Sequence, residues 1–289
     1  MKKGMKIALV LLLFCAAAAA AFYLGKNQST GERTSDKKQK QQASLEGTED
    51  KKQQASSEVS EEKKKNTEQT LKKMVVIIDP GHQKNQNTEQ EPIGPGAVEK
   101  KPKVSSGTSG TVSGLQEYEL TLQISKKLKK ELLERGYSVH MTRNTHDVNM
   151  SNAERAAYAK KAGGDIFVRI HANGSEDPSV RGALSMAPSK NNPYVAELSE
   201  KSQLLSRCIL DEYCKATGMK NRGVMETDQM SGINWTSMPV TILEMGFMSN
   251  PKDDASMKDS NFQEKMVSGA ADGIDRYVKE TETEEEHSL

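Results

Sequence analysis

Aromatic residues make up only 4% of this chain, and its formal net charge is +1. The first shortage excludes a stacking platform for single-stranded nucleic acid. The second excludes a basic footprint for a phosphate backbone, so no nucleic acid partner is expected. Cysteine is scarce too, with three in 289 residues. Cys15 falls in an N-terminal apolar run, while Cys208 and Cys214 lie in one predicted helix on different faces. That pattern excludes a zinc-finger spacing and a disulfide framework, and it leaves buried free thiols. Internal repeats, a Gly-x-Gly-x-x-Gly loop and a Walker motif are all absent.

What is present is unevenly distributed. Lys2, Lys3 and Lys6 precede an apolar run from Ile7 to Leu24. The run is longer than a signal-peptide core of about 7–15 residues and shorter than a spanning helix of about 20. Residues 1–25 are therefore expected to be a signal peptide or a membrane anchor through residues 7–24. Either one makes the rest of the chain extracytoplasmic, secreted or membrane-tethered. Residues 26–73 are Lys, Glu, Gln, Ser and Thr with no apolar period, and they read as a disordered polar linker.

Residues 74–280 carry the hydrophobic periodicities of a folded domain, followed by an acidic tail over 281–289. Val75-Val76-Ile77-Ile78 reads as a strand buried on both faces, stopped by Asp79-Pro80-Gly81. A long polar stretch, 83–114, has the composition of a loop. Helices are expected over Glu117–Arg135, from the Ser151/Glu154 capping box to Gly163-Gly164, over Pro193–Thr217 and over Asn261–Lys279. Further strands are expected over Tyr137–Arg143, Asp165–His171, Arg181–Ala187, Gly223–Glu226 and Pro239–Glu244. The alternation defines an α/β fold: a mostly parallel twisted sheet of about six strands, helices on both faces, a single domain.

Three of the strands end in residues with chemistry. The first presents His82 at the carboxyl edge of the sheet, where open α/β folds place ligands. The others end in His171 and Glu244. A hydrolytic zinc site needs about three ligands from His, Cys, Asp or Glu and one open position. A nearby carboxylate then moves the proton. His82, His171 and two glutamates supply that set where the fold gathers them, and Glu117 opens a helix just after the long polar stretch. A purely structural histidine at a strand end is the alternative, and spacing alone does not decide between them.

Four motifs occur in one order: Ile78-Asp79-Pro80-Gly81-His82, Gly114-Leu115-Gln116-Glu117, Ile170-His171-Ala172-Asn173 and Leu243-Glu244-Met245-Gly246-Phe247-Met248-Ser249-Asn250. In them the chain resembles the zinc-dependent N-acetylmuramoyl-L-alanine amidases of the Amidase_3 type, with Arg143 and Arg155 also in matching places. The resemblance implies that His82, Glu117 and His171 bind Zn2+ and that Glu244 is the catalytic acid/base. It implies peptidoglycan as the substrate, cleaved between N-acetylmuramic acid and L-alanine. Two rival readings are a catalytically silent wall-binding module and a zinc peptidase of the stem peptide.

Three departures from the family pattern stand out. Gln83 takes the place of a common Gly, Arg169 that of a common Ser, and the 83–114 insertion is long. Arg169 is expected to pair with a protein carboxylate or to bind a substrate carboxylate. The insertion is expected to be a lid or a mobile decoration. Asp79 is expected to be a turn or cap residue, and Glu119 is the rival to Glu117 as ligand. Trp235 is expected to pack beneath its loop.

Overall fold

The computed structural model describes residues 74–287. The expected leader (1–25) and polar linker (26–73) lie outside the described residues, and among those residues no helix is long and apolar enough to cross a membrane.

The chain runs β1 (Val75–Pro80), β2 (Asn87–Pro92), β3 (Lys100–Val104), α1 (Glu117–Glu134), β4 (Ser138–Met141), α2 (Asn152–Lys161), β5 (Ile166–Asn173) and β6 (Ala183–Ala187). A 3-10 turn (Ala196–Leu198) then leads into α3 (Ser199–Thr217), β7 (Asn221–Glu226), α4 (Ser231–Asn234), β8 (Val240–Phe247), α5 (Pro251–Lys258) and α6 (Ser260–His287). Six strands form one sheet in the order β4-β1-β5-β8-β6-β7, with every pairing parallel except β6 with β8. β2 and β3 form a separate antiparallel hairpin.

The central strands are buried on both faces, which is why they read as unbroken apolar runs. Val76, Ile78, Val168, Ile170 and Leu243 pack into the cluster that contains Leu120, Ile124, Leu128 and Leu132 of α1 and the apolar faces of α3 and α6. Ile77, Phe167, Val240 and Ile242 pack on the other side with Ala156 and Ala159 of α2 and Ile233 of α4. The expected α/β architecture is thus the observed one.

Three elements differ from expectation. The polar stretch after His82 contains the β2–β3 hairpin; Asn-Thr-Glu-Gln-Glu-Pro has no apolar alternation to announce a strand, and pairing with β3 supplies the order. The helix expected from Pro193 starts at Ser199, because Asn192 Oδ1 accepts from the Tyr194 and Val195 amides and holds a turn. The terminal helix, expected to end at Lys279, continues to His287. An Arg276–Glu280 pair at 2.7 Å and a Thr281 Oγ1 bond to the Tyr277 carbonyl support that turn. Cys208 and Cys214 are buried free thiols, as expected.

Candidate metal centre

His82 follows the end of β1 with φ of +62°, the one non-glycine residue in the left-handed region among the described residues. Such a backbone persists only where the surroundings hold it. Two buried arginines do so. Arg155 of α2 donates to the carbonyls of Pro80 and His82, each at 3.0 Å. Arg143, just past β4, donates to the carbonyls of Pro80 at 2.9 Å and Gly81 at 3.0 Å. The turn is therefore clamped from two elements, and the imidazole is presented above the sheet edge.

Three side chains converge there. His82 Nε2 lies 3.1 Å from Glu117 Oε1, and His171 Nδ1 lies 3.3 Å from the same oxygen. The two imidazole nitrogens are 3.1 Å apart, and the three donor atoms all fall within 4.8 Å of one another. His82 Nδ1 sits 3.0 Å from the Ser105 carbonyl. A carbonyl only accepts, so Nδ1 donates to it, and Nε2 is turned toward the cluster. Burial pushes the His171 imidazole down to about 4, against the opposing hydrogen bond of Glu117, so it is neutral near pH 7. Burial alone would raise the Glu117 carboxyl, yet hydrogen bonds with His171 and His82 hold it well below the usual range. Two imidazoles and a carboxylate are a donor set that fits a divalent metal.

Glu117 is fixed by its neighbours as well as by α1. Its Oε1 accepts from the Ala172 amide at 3.0 Å and its Oε2 from the Thr108 amide at 2.9 Å. Glu119, the rival ligand, instead accepts from the Gln116 amide in the capping box that starts α1.

Glu244 of β8 stands directly opposite His171 of β5 in the parallel register. Both line a cavity of about 330 Å3 together with His82. Glu244 Oε2 is buried without a hydrogen-bond partner. Burial, reinforced by the Glu117 charge and opposed by Arg169, pushes its carboxyl up to about 8. A buried carboxyl of this kind beside a metal-binding cluster can accept and return a proton near neutral pH.

Asp79 is not the turn or cap residue expected. It is fully buried and bridges two cations, with Oδ1 2.8 Å from Arg155 Nη1 and Oδ2 2.9 Å from Arg169 Nε, and Thr142 Oγ1 also donates to it. Arg169 thus pairs with a protein carboxylate. Gln83 is buried too, its Oε1 accepting from Arg155 Nη2 at 3.0 Å and from the Met150 amide at 3.1 Å. Sequence reasoning missed the supporting roles of Ser105 and Thr108, both within the insertion. Nothing in its polar composition marked them, since both contacts are through the backbone.

The insertion is a wall of the site. Pro102, Val104 and Ser105 line the cavity. Trp235 Nε1 donates to the Pro92 carbonyl at 2.9 Å, and Asn152 Nδ2 donates to the Lys103 carbonyl at 3.0 Å. Asp254 pins the far end through the Val112 and Ser113 amides and Ser113 Oγ.

The fold and this cluster define an α/β domain with a His/Glu/His group that could hold a metal ion at the carboxyl edge of a parallel sheet. The chain belongs to the Amidase_3 family: the family model described as N-acetylmuramoyl-L-alanine amidase matches residues 76–276. Among curated proteins it is similar to the N-acetylmuramoyl-L-alanine amidase AmiC of Neisseria meningitidis, 24% identical over 243 residues, covering 72% of this chain and 53% of AmiC. It is 25% identical over 207 residues to the probable cell wall amidase LytH of Staphylococcus epidermidis, covering 72% of this chain and 59% of LytH. The chain thus spans only a little over half the length of these two relatives. The solved structure of the N-acetylmuramyl-L-alanine amidase Ami1 from Mycobacterium smegmatis matches with a TM-score of 0.65 at 25% identity, covering 72% of this chain and 98% of that one.

Proposed function

We propose that this chain is a zinc-dependent N-acetylmuramoyl-L-alanine amidase that hydrolyses the amide joining N-acetylmuramic acid to L-alanine in peptidoglycan. His82, Glu117 and His171 hold the zinc, and Glu244 is the catalytic acid/base. The observation that carries this reading is the placement of Glu244: opposite His171, in the same cavity, with Oε2 buried and unpartnered. Family membership and relatives named as amidases support it.

Zinc, when bound, supplies a Lewis acid that polarises the scissile carbonyl and acidifies water. The side chains of this chain do the rest. Glu244 takes a proton from the attacking water and delivers it to the leaving nitrogen, so the amide C–N bond breaks to a lactyl carboxylic acid and a free L-alanine amine. His82 is held with Nε2 toward the cluster by the bond from Nδ1 to the Ser105 carbonyl, and Glu117 is kept ionised by its histidine partners. The hairpin wall restricts water around the reacting groups.

The substrate places the domain outside the cytoplasm, at the cell wall. Residues 1–25 then serve as export signal or anchor, and residues 26–73 as a linker to a domain over 74–280.

Digestion of purified peptidoglycan by the zinc-loaded chain, with product masses read beside Glu244→Gln, tests this function. Stem peptides with a free L-alanine amino terminus, released by the wild type alone, are the expected result. Fragments cut within the peptide would instead make it a stem peptidase. Intact wall despite stoichiometric zinc would make it a binding module.

A further inference from the structure

Two cations line the cavity over the metal-binding cluster and take no part in the chemistry just described: Lys101 from β3 and Arg169 from β5. We infer that they form a subsite for a carboxylate on the peptide side of the scissile amide. This rests on the amidase reading above.

Arg169 is rigidly held but not fully used. Its Nε donates to Asp79 Oδ2 at 2.9 Å and its Nη2 to Asn152 Oδ1 at 2.8 Å. Its Nη1 donates to no protein acceptor among the described residues. That nitrogen lies against Gly232, another cavity-lining residue, where a Cβ would overlap it. Asp79 also pairs with Arg155, so one carboxylate answers two guanidinium groups and positive charge is left over.

Lys101 adds to that excess from the hairpin. Its Nζ donates to the Gln229 carbonyl at 2.8 Å, a neutral acceptor, and no carboxylate among the described residues lies within ion-pair distance of it. The hairpin that carries Lys101 also orients Arg169: Asn152 accepts from the guanidinium and donates to the Lys103 carbonyl at 3.0 Å. One acidic residue, Glu244, lines the cavity, and it is committed to the proton transfers.

A partly desolvated cavity with fixed, unspent N–H donors and excess positive charge selects an anion, and a guanidinium edge suits a carboxylate. In the proposed substrate the sugar is neutral and the lactyl carboxyl is consumed in the amide. The anion therefore belongs to the peptide, and the residue after L-alanine is the first that can supply it.

The test uses the full zinc-loaded chain and four ligands: N-acetylmuramoyl-L-alanyl-D-glutamate, its two monoamides and its diamide. The diacid is expected to be cleaved with kcat/KM about tenfold or more above the diamide, since hydrogen bonds to a charged group are worth about 1.5–3 kcal/mol. The monoamides show which carboxylate is read. In Lys101→Met and in Arg169→Gln that ratio is expected to fall toward one. Lys101→Met leaves the buried Asp79 pairings in place, so it remains informative if Arg169→Gln does not fold. Binding of the same ligands to zinc-loaded Glu244→Gln, by calorimetry, gives a second reading of the preference. Equal treatment of diacid and diamide by the wild type, or an undiminished preference in Lys101→Met, would overturn the subsite. Acid-selective binding without cleavage of any ligand would uphold the subsite and overturn the amidase reading.

Discussion

The Ser105 carbonyl accepts from His82 Nδ1 at 3.0 Å, bringing together residues 23 apart in the chain. Three residues further on, Thr108 clasps Glu117 from both sides: its amide donates to Glu117 Oε2 and its carbonyl accepts from the Glu117 amide, each at 2.9 Å. The insertion therefore supports two members of the proposed metal-binding cluster.

Deleting residues 85–110 removes both supports. Loss of such outer partners costs about 10–100-fold in metal affinity. Competition with a chromophoric chelator is expected to show zinc binding weakened by that factor, with the far-ultraviolet spectrum of the sheet retained. Unchanged affinity would reduce the hairpin to a wall of the cavity.

Metal and activity should part company at one residue and travel together at another. Glu244→Gln is expected to retain stoichiometric zinc and lose about 10²–10⁴-fold in turnover, the usual worth of general acid/base help. His82→Ala is expected to lose both, and zinc content measured beside amide cleavage distinguishes the two.

The metal-free chain should show a pH signature of Glu244. Its carboxyl titrates near 4.5 when unfolded and near 8 when folded, so the folded state binds the extra proton between those values. Stability from this group is full below about 4.5 and is lost as pH rises through 8. His171 acts oppositely, its folded value of about 4 lying below 6.5, so its contribution changes only beneath pH 6.5. Between pH 6.5 and 8 the midpoint for chemical unfolding is therefore expected to fall, and Glu244→Gln should flatten that slope. A slope identical in the variant would assign it to another group.

Asp79→Ala strands two buried guanidinium groups. Breaking a buried ion pair from one side costs about 3–5 kcal/mol. The variant is expected to melt well below the wild type or to express as insoluble protein. A melting temperature within a degree or two of wild type would mean that the arginines find other partners.

Gly273→Ala would crowd a helix crossing. A Cβ there would collide with the backbone of Ile209 and Cys208 in α3. Overpacking of this kind costs about 1–3 kcal/mol, and denaturant unfolding should show it as a lower midpoint at unchanged slope.

Much of the sheet was legible because its central strands are buried on both faces, and unbroken apolar runs such as Val75 to Ile78 encode that state locally. The helices were legible through local signals as well: the Ser151/Glu154 box and the glycines at 136 and 218 act within a few residues of the ends they fix. The β2–β3 hairpin was not legible, because its strands are exposed and polar and their order comes from pairing and from contacts with Trp235, Asn152 and Asp254. Asp79 was misread for the same reason, since its partners Arg155 and Arg169 arrive from α2 and β5.

By itself the sequence determined the strands, turns and helix start that carry His82, Glu117, His171 and Glu244, because turn chemistry and strand termination are local properties. Only the tertiary structure decided that the imidazoles and the Glu117 carboxylate meet within 4.8 Å, with the Glu244 carboxyl in their cavity. It also decided that a polar insertion holds them and that Lys101 and Arg169 share their cavity. Those relations depend on distances between segments far apart along the chain, which are set by the parallel register, the burial of Asp79 between two arginines and the docking of the hairpin.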